Sequence, residues 1–437
     1  MADPDEDVTA AAIPSQTELT ADTAGRSIST ATVPPPFTPP AGFPDLIATA
    51  CYDQFSRLPR RARPQASREW ALLAGFLLSS PPHTQPVVVA LGTGSKCLGA
   101  SQLSATGEKL ADSHAEVVAR RAFRRFLMAE VRRAVVGGGE SQWLEKEESG
   151  RCVRLKEGVR VHFFTSHTPC GDCSIFPRKN ETEYDAGDER AMKKQRCEEE
   201  HEPKRIALED GEAVMDSLPS AENLNTSVSD ASDIYRTGAK PVVGETADPL
   251  QPGAGYHVTG VLRTKPGRGE RTLSMSCSDK LARWLRLGLQ GALLSCWLPQ
   301  PLTLSSVVTG PCPYSEAAMR RALLGRPGLI VEPVLAQAGK EFEFSRTLVE
   351  GSAAEGVKVV PSPCAVTWSR GCTREFEVSV EGIRQGVTKK ARGTPAARVA
   401  ICRREVMQEF VELAKDVALE QLPACLRDED SLSVLGC

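Results

Sequence analysis

His114 and Glu116 stand two residues apart in Asp112-Ser113-His114-Ala115-Glu116, just ahead of Val117, Val118, Phe123, Phe126 and Leu127. The spacing of those apolar residues predicts a helix to about Glu130, and Ser113 with Glu116 predicts a capping box at its start. A second short stretch, Thr168-Pro169-Cys170-Gly171-Asp172-Cys173, brings thiols. An imidazole, two thiolates and one further carboxylate are the parts of a hydrolytic metal centre. Three protein ligands leave a fourth position open for water and lower its pKa to about 7, while a carboxylate that is not a ligand moves protons. A lone His-x-Glu is short and common, and a capped helix with a surface His and Glu accounts for it. Joined to Pro-Cys-x-x-Cys, it is far more specific.

In this reading His114 is the nitrogen ligand and Glu116 the proton shuttle. Cys170 follows Pro169, which suits the first position of a helix, and the positive end of that helix favours the thiolate a ligand must be. The third ligand stays open. Cys173 lies one helical turn after Cys170, whereas Cys277 opens another predicted helix far along the chain; spacing alone favours Cys173. The combined pattern resembles that of the zinc-dependent nucleoside and nucleobase deaminases, in which water replaces an exocyclic amine.

The elements around these motifs read as an α/β layered core. Residues 69–78 form a buried helix or strand that periodicity does not decide, 85–92 a buried strand, and 159–165 a second strand running into Pro169-Cys170. Ser276 opens a helical stretch through Ser295, residues 302–308 and 376–380 read as strands, and 399–419 as an amphipathic helix. Residues 1–43 form a tail rich in Pro, Ser and Thr, and 178–232 a disordered insertion within one domain. Lys193-Lys194-Gln195-Arg196 and Lys204-Arg205 in that insertion read as solvated charge rather than a localisation signal.

The chain has 437 residues, 41% hydrophobic and 25% charged, with a formal net charge of -3. That is enough for one large domain, and any basic surface for nucleic acid must be local. No apolar run is long enough to span a bilayer, and the acidic N-terminus lacks the hydrophobic region of a signal peptide. With 14 cysteines, this places the protein in the nucleus or cytoplasm rather than among secreted proteins, its thiols reduced or metal-bound. Arg121 and Arg125 project to the same side of the first helix as His114, Val117 and Val118. Lys280 and Arg283 pose the same question after Cys277. Burying such cations without anions is costly, so solvated faces are expected.

Longer stretches sharpen the reading. Asp112-Ser113-His114-Ala115-Glu116, Cys170-Gly171-Asp172, Ser276-Cys277-Ser278-Asp279-Lys280-Leu281-Ala282-Arg283-Trp284 and Gly288-Leu289-Gln290-Gly291-Ala292-Leu293-Leu294 are similar to the adenosine deaminases acting on RNA. Tyr235-Arg236-Thr237-Gly238-Ala239-Lys240, Lys265-Pro266-Gly267-Arg268-Gly269 and Pro311-Cys312-Pro313-Tyr314-Ser315 resemble the eukaryotic tRNA-specific branch of that family. The resemblance covers residues 51–427 outside the insertion and implies an editase domain over 44–427. It implies a cytidine-deaminase-like three-layer core, a central mixed sheet with helices on both faces, enlarged by a C-terminal extension. It implies conversion of adenosine to inosine 3′ of the anticodon in alanine tRNA, with Zn2+ held by His114, Cys170 and Cys277, against the plain spacing. It further implies a buried inositol hexakisphosphate on Arg120, Arg121, Lys280, Arg283 and Lys390, and RNA contacts from Ser95 and Lys96 in Thr93-Gly94-Ser95-Lys96.

The chain departs from the family where it carries Cys173 in place of Ala, and Ala111 and Leu285 in place of Asn. Residues 428–437 also differ from the family's helix rich in Tyr and Lys and its closing Trp–Lys–Pro segment, which sets the polyphosphate site in question. The competing readings are an editor of double-stranded RNA, for which the N-terminus holds no separate RNA-binding domain, and an inactive RNA-binding isoform lacking the C-terminal segment.

Overall fold

The computed structural model describes residues 37–80, 83–136, 140–178, 233–266 and 270–427. Residues 1–36, the charged clusters at 193–196 and 204–205, the rest of 179–232 and residues 428–437 lie outside them. The two ends of the insertion are joined: Phe176–Pro177 pairs antiparallel with Ile234–Tyr235. The chain therefore leaves and re-enters the fold at one place.

Eight strands make the central sheet: β1 (Leu73–Ser80), β2 (His83–Thr93), β3 (Arg160–Thr165), β4 (Ser306–Thr309), β5 (Val334–Gln337), β6 (Cys364–Ser369), β7 (Phe376–Val380) and β8 (Ile383–Arg384). Their order across the sheet is β5-β4-β3-β1-β2-β6-β7-β8. The β5, β4 and β3 strands run parallel, and β1 pairs antiparallel with both β3 and β2.

The run at 73–78 is a strand because both of its faces are covered, which makes an interior strand read as continuously apolar. Ala74, Phe76 and Leu78 join one buried cluster, while Leu73 and Leu77 join the other. On the second face lies α1 (Phe43–Ser56), through Ile47, Cys51 and Phe55. On the first lies α2 (Ala115–Val135), through Ala115, Ala119, Ala122 and Phe123. The Phe123 ring stacks on Phe76 with centroids 4.6 Å apart. Helices α3 (Cys277–Leu287) and α4 (Arg403–Lys415) add Leu281, Leu285, Phe410 and Leu413 to the same cluster. The result is a three-layer α/β core. None of the helices among the described residues is long and apolar enough to cross a membrane.

Several local expectations change. The stretch from Ser276 does not stay helical to Ser295; it breaks at Gly288, whose φ is 87°. The last amphipathic helix spans 403–415, within the expected 399–419. The expected 302–308 strand starts at Ser306. Packing starts at Phe37, before the boundary read at residue 43: its ring lies 5.0 Å from that of Phe43.

Candidate active site

The site gathers at three chain segments. Gly94 lets β2 turn, with φ 135° and an added Cβ only 2.1 Å from the Ser113 carbonyl oxygen. Beyond it, Ser95–Cys97 pairs antiparallel with Asp112–His114. That ribbon delivers His114 straight into α2. The capping box does not form: His114 is the N-cap, no side chain caps the helix, and Ser113 is held extended opposite Lys96. Glu116 sits in the first turn of α2, 5% exposed, and its Oε2 has no hydrogen-bond partner among the described residues.

Cys170 does not open a helix. The backbone turns at Gly171, with φ 104°, and only a short 3-10 turn, Asp172–Ser174, follows. The turn is forced by close packing, since a Cβ on Gly171 would lie 2.3 Å from Ser276 Oγ. That contact seats the Cys170 turn on the start of α3. Ser278 donates its backbone N–H to the Cys170 carbonyl at 3.0 Å, and Cys277 donates its own N–H to Cys170 Sγ at 3.3 Å. Cys173 points elsewhere. It is fully buried in the apolar cluster, its N–H donates to Ser278 Oγ at 3.1 Å, and burial pushes its thiol up to about 12.

The two apposed thiols differ. A hydrogen bond from the Cys277 thiol, with the positive charge of Lys265, outweighs burial and holds Cys170 below the ordinary thiol range. Burial, and then the neighbouring Cys170, push Cys277 well up. Glu116 is near enough for its charge to act on both thiols.

Asp112, which the motif reading passed over, is the hub of the site. It is 2% exposed. Its Oδ1 accepts from the His114 backbone N–H at 3.0 Å and from the imidazole Nδ1 at 2.9 Å, with the ring proton assigned to Nδ1. Its Oδ2 accepts from Lys265 Nζ at 2.5 Å, Ser274 Oγ at 2.6 Å and Lys280 Nζ at 2.9 Å. Burial resists its ionisation, but Lys265, Lys280 and His114 hold the carboxyl well below the usual range. The bond to Nδ1 leaves His114 Nε2 as the nitrogen free to bind a metal. The signal was present in the sequence: Asp-x-His in a strand puts both side chains on one face.

The other expected residues are spread out. Arg120 is buried, its guanidinium 4.9 Å from the Trp284 ring centroid. Arg121 is half-buried and donates to the Ile401 carbonyl at 3.2 Å. Lys280 is half-buried on Asp112, while Arg283 and Lys390 are exposed. The expectation of solvated faces therefore fails for Arg125, which is 3% exposed; Arg120 and Arg124 on the same helix are buried as well. Arg125 is buried because partners come with it: Glu409 Oε2 at 2.9 Å and the Thr373 carbonyl at 2.9 Å. Ser95 is half-buried and Lys96 exposed, in a cleft shared with Ser113, Cys364 and Glu381.

Among the described residues, no three His, Cys, Asp or Glu side chains already close into a ligand set. The donors at hand are one oriented imidazole, two apposed thiols and a buried carboxylate oxygen without a partner. One nitrogen and two sulfurs suit zinc with an open position, so the residues present fit such an ion.

Residues 90–430 match the adenosine-deaminase (editase) domain. The chain belongs to the adenosine-deaminase (editase) family. It is 36% identical to the mouse tRNA-specific adenosine deaminase 1, over 88% of this chain and 90% of that protein. The fruit-fly tRNA-specific adenosine deaminase 1 is 34% identical, over 90% of this chain and 88% of its own length. The mouse double-stranded RNA-specific adenosine deaminase is 31% identical over 69% of this chain, but that match covers only 22% of the longer protein. The editase domain of this chain thus holds the Asp112 hub, the Cys170 turn and the start of α3 together.

Proposed function

We propose that this editase hydrolytically deaminates adenosine to inosine in tRNA, at the position 3′ of the anticodon of alanine tRNA. The observation that carries the reading is the apposition of Cys170 and Cys277, with His114 and Glu116 within charge range of Cys170, from three distant segments of a chain similar along its length to tRNA-specific enzymes. His114, Cys170 and Cys277 would hold a zinc ion, which when bound would supply an activated water. Asp112 orients the imidazole and Lys265 balances the charge of the ligand thiolates. Glu116 Oε2, buried and without a hydrogen-bond partner among the described residues, would carry the proton of the attacking water to the ring nitrogen and then the proton of the new hydroxyl to the departing ammonia. An anticodon loop already exposes its bases, so extruding the target costs less than from a duplex. Ser95 and Lys96, beside the pocket, contact the neighbouring ribose and phosphate.

This reading also takes Arg120, Arg121 and Lys280, with Arg283 and Lys390 at the solvent side, to hold an internal polyanion, inositol hexakisphosphate. The same reading places the enzyme in the nucleus or cytoplasm with its substrate. The test is incubation of the purified chain with transcribed alanine tRNA, inosine read by sequencing and zinc by metal analysis. Wild type forms inosine. Glu116→Ala keeps zinc and forms none, Cys277→Ala loses zinc, and Cys173→Ala keeps it. Activity of Glu116→Ala equal to wild type, or loss of zinc only in Cys173→Ala, overturns the assignment.

A further inference from the structure

Away from the pocket, two stretches carry positive charge alone. Residues 57–68 hold Arg57, Arg60, Arg61, Arg63 and Arg68 without an Asp or Glu, and residues 384–404 hold Arg384, Lys389, Lys390, Arg392, Arg398, Arg403 and Arg404, again without an acid. In a chain of net charge -3 these are local accumulations. The fold brings them together. Leu58 and Ala62 anchor the first stretch in the apolar cluster that also takes Val378 and Phe376 of β7, and β8, with Arg384, pairs with β7.

Where they meet is a groove of about 350 Å³ whose lining includes Arg61, Arg374, Phe376, Glu377, Arg384 and Gln385. The Arg61 guanidinium lies 5.0 Å from the Phe376 ring centroid, which presents it as a flat cationic surface. Arg374 is neutralised by Glu377 at 2.5 Å and Glu405 at 2.9 Å. Arg61 and Arg384 are exposed and form no ion pair among the described residues. The groove thus offers two open guanidinium groups, a geometry suited to phosphate oxygens and indifferent to base sequence.

Its position gives the occupant. The β7 strand runs from Phe376 in the groove to Val380, and Glu381 and Gly382 just beyond line the cleft with Ser95 and Lys96. Four strand residues span roughly 13 Å, a few nucleotides of an RNA strand. One RNA arm can touch both.

We propose that this groove is a second RNA contact, in which Arg61 and Arg384 hold backbone phosphates of the stem above the loop whose base enters the Glu116 pocket. The inference rests on the tRNA reading above. An acidic peptide would match the same charges, but nothing joins such a partner to the Ser95 cleft.

The test uses the full chain carrying Arg61→Gln and Arg384→Gln together, with Arg61→Lys and Arg384→Lys as the charge-keeping pair. Affinity for alanine tRNA is measured across a salt series, beside the single-turnover rate of inosine formation at saturating tRNA and affinity for a hairpin holding only the anticodon loop and its closing base pairs. The Gln pair is expected to bind tRNA about tenfold more weakly and to lower the slope of log affinity against log salt by about 2. Its saturating rate and its affinity for the hairpin stay at wild-type values, and the Lys pair retains most of the tRNA affinity. Unchanged tRNA affinity and slope, or equal loss on tRNA and hairpin, overturns the proposal. If wild type forms no inosine, the activity reading fails, while the binding comparison still decides the groove.

Discussion

The site is built on two helix starts that solve one problem differently. Each leaves backbone N–H groups that nothing inside the helix can satisfy. At α3, Ser276 caps the helix, its Oγ accepting from the Asp279 N–H at 3.1 Å and donating to Asp279 Oδ2 at 2.6 Å. Asp279 also accepts from the Arg263 N–H at 3.0 Å and from Arg326 at 2.5 Å. The start of α3 is self-sufficient, and it presents Cys277 as a fixed thiol against Cys170. The start of α2 has no such cap. It is supported from outside, by Asp112 and the lysines behind it, and keeps Glu116 Oε2 uncommitted. A ligand belongs on the first kind of support. A group that must exchange protons belongs on the second, because a carboxylate spent on capping cannot move them.

Substitutions at the two starts separate these roles. The largest effect is expected from Asp112→Ala, which leaves Lys265 buried without its carboxylate. Breaking a buried pair from one side costs about 3–5 kcal/mol, read by urea denaturation, and the loss of imidazole orientation removes activity as well. A variant as stable as wild type would show that α2 stands without outside support. Gly171→Ala comes next. Its left-handed backbone and the contact with Ser276 Oγ predict a loss of about 1–3 kcal/mol and weaker zinc retention, as the Cys170 turn is levered off α3. Unaltered zinc content would mean that the seating is not what holds the thiols together. Ser276→Ala is the mildest, about 1 kcal/mol for a lost cap, with most zinc and activity kept because Asp279 retains its arginine. Equal costs at Asp112 and Ser276 would erase the distinction between the two starts.

Much of this was legible locally. Helix α2 follows from its apolar spacing, and the strands at 85–92 and 160–165 from their buried apolar runs. His114, Glu116 and Cys170 stand out as short motifs because their chemistry depends on residue type and near spacing. The choice between Cys173 and Cys277 was not local. Spacing pointed to Cys173, yet its side chain sits in the apolar core, while Cys277, which resemblance alone singled out, lies against Cys170. The arginines of α2 were misjudged for a related reason: a helical projection shows which way a side chain points but not that Glu409, far along the chain, waits there.

The sequence by itself determined the repertoire: an imidazole and carboxylate two residues apart, a cysteine between a proline and a glycine, a later helix opening near another cysteine, and two acid-free basic stretches. Residue types and near-neighbour spacing fix these, since they depend on backbone geometry within a few residues. Only the tertiary structure decided which thiol faces Cys170, that Asp112 ties His114 to Lys265 and Lys280, and that Arg61 and Arg384 share a groove. Those outcomes depend on how the β-sheet brings distant segments within hydrogen-bonding or charge range, and burial there makes each contact strong enough to matter.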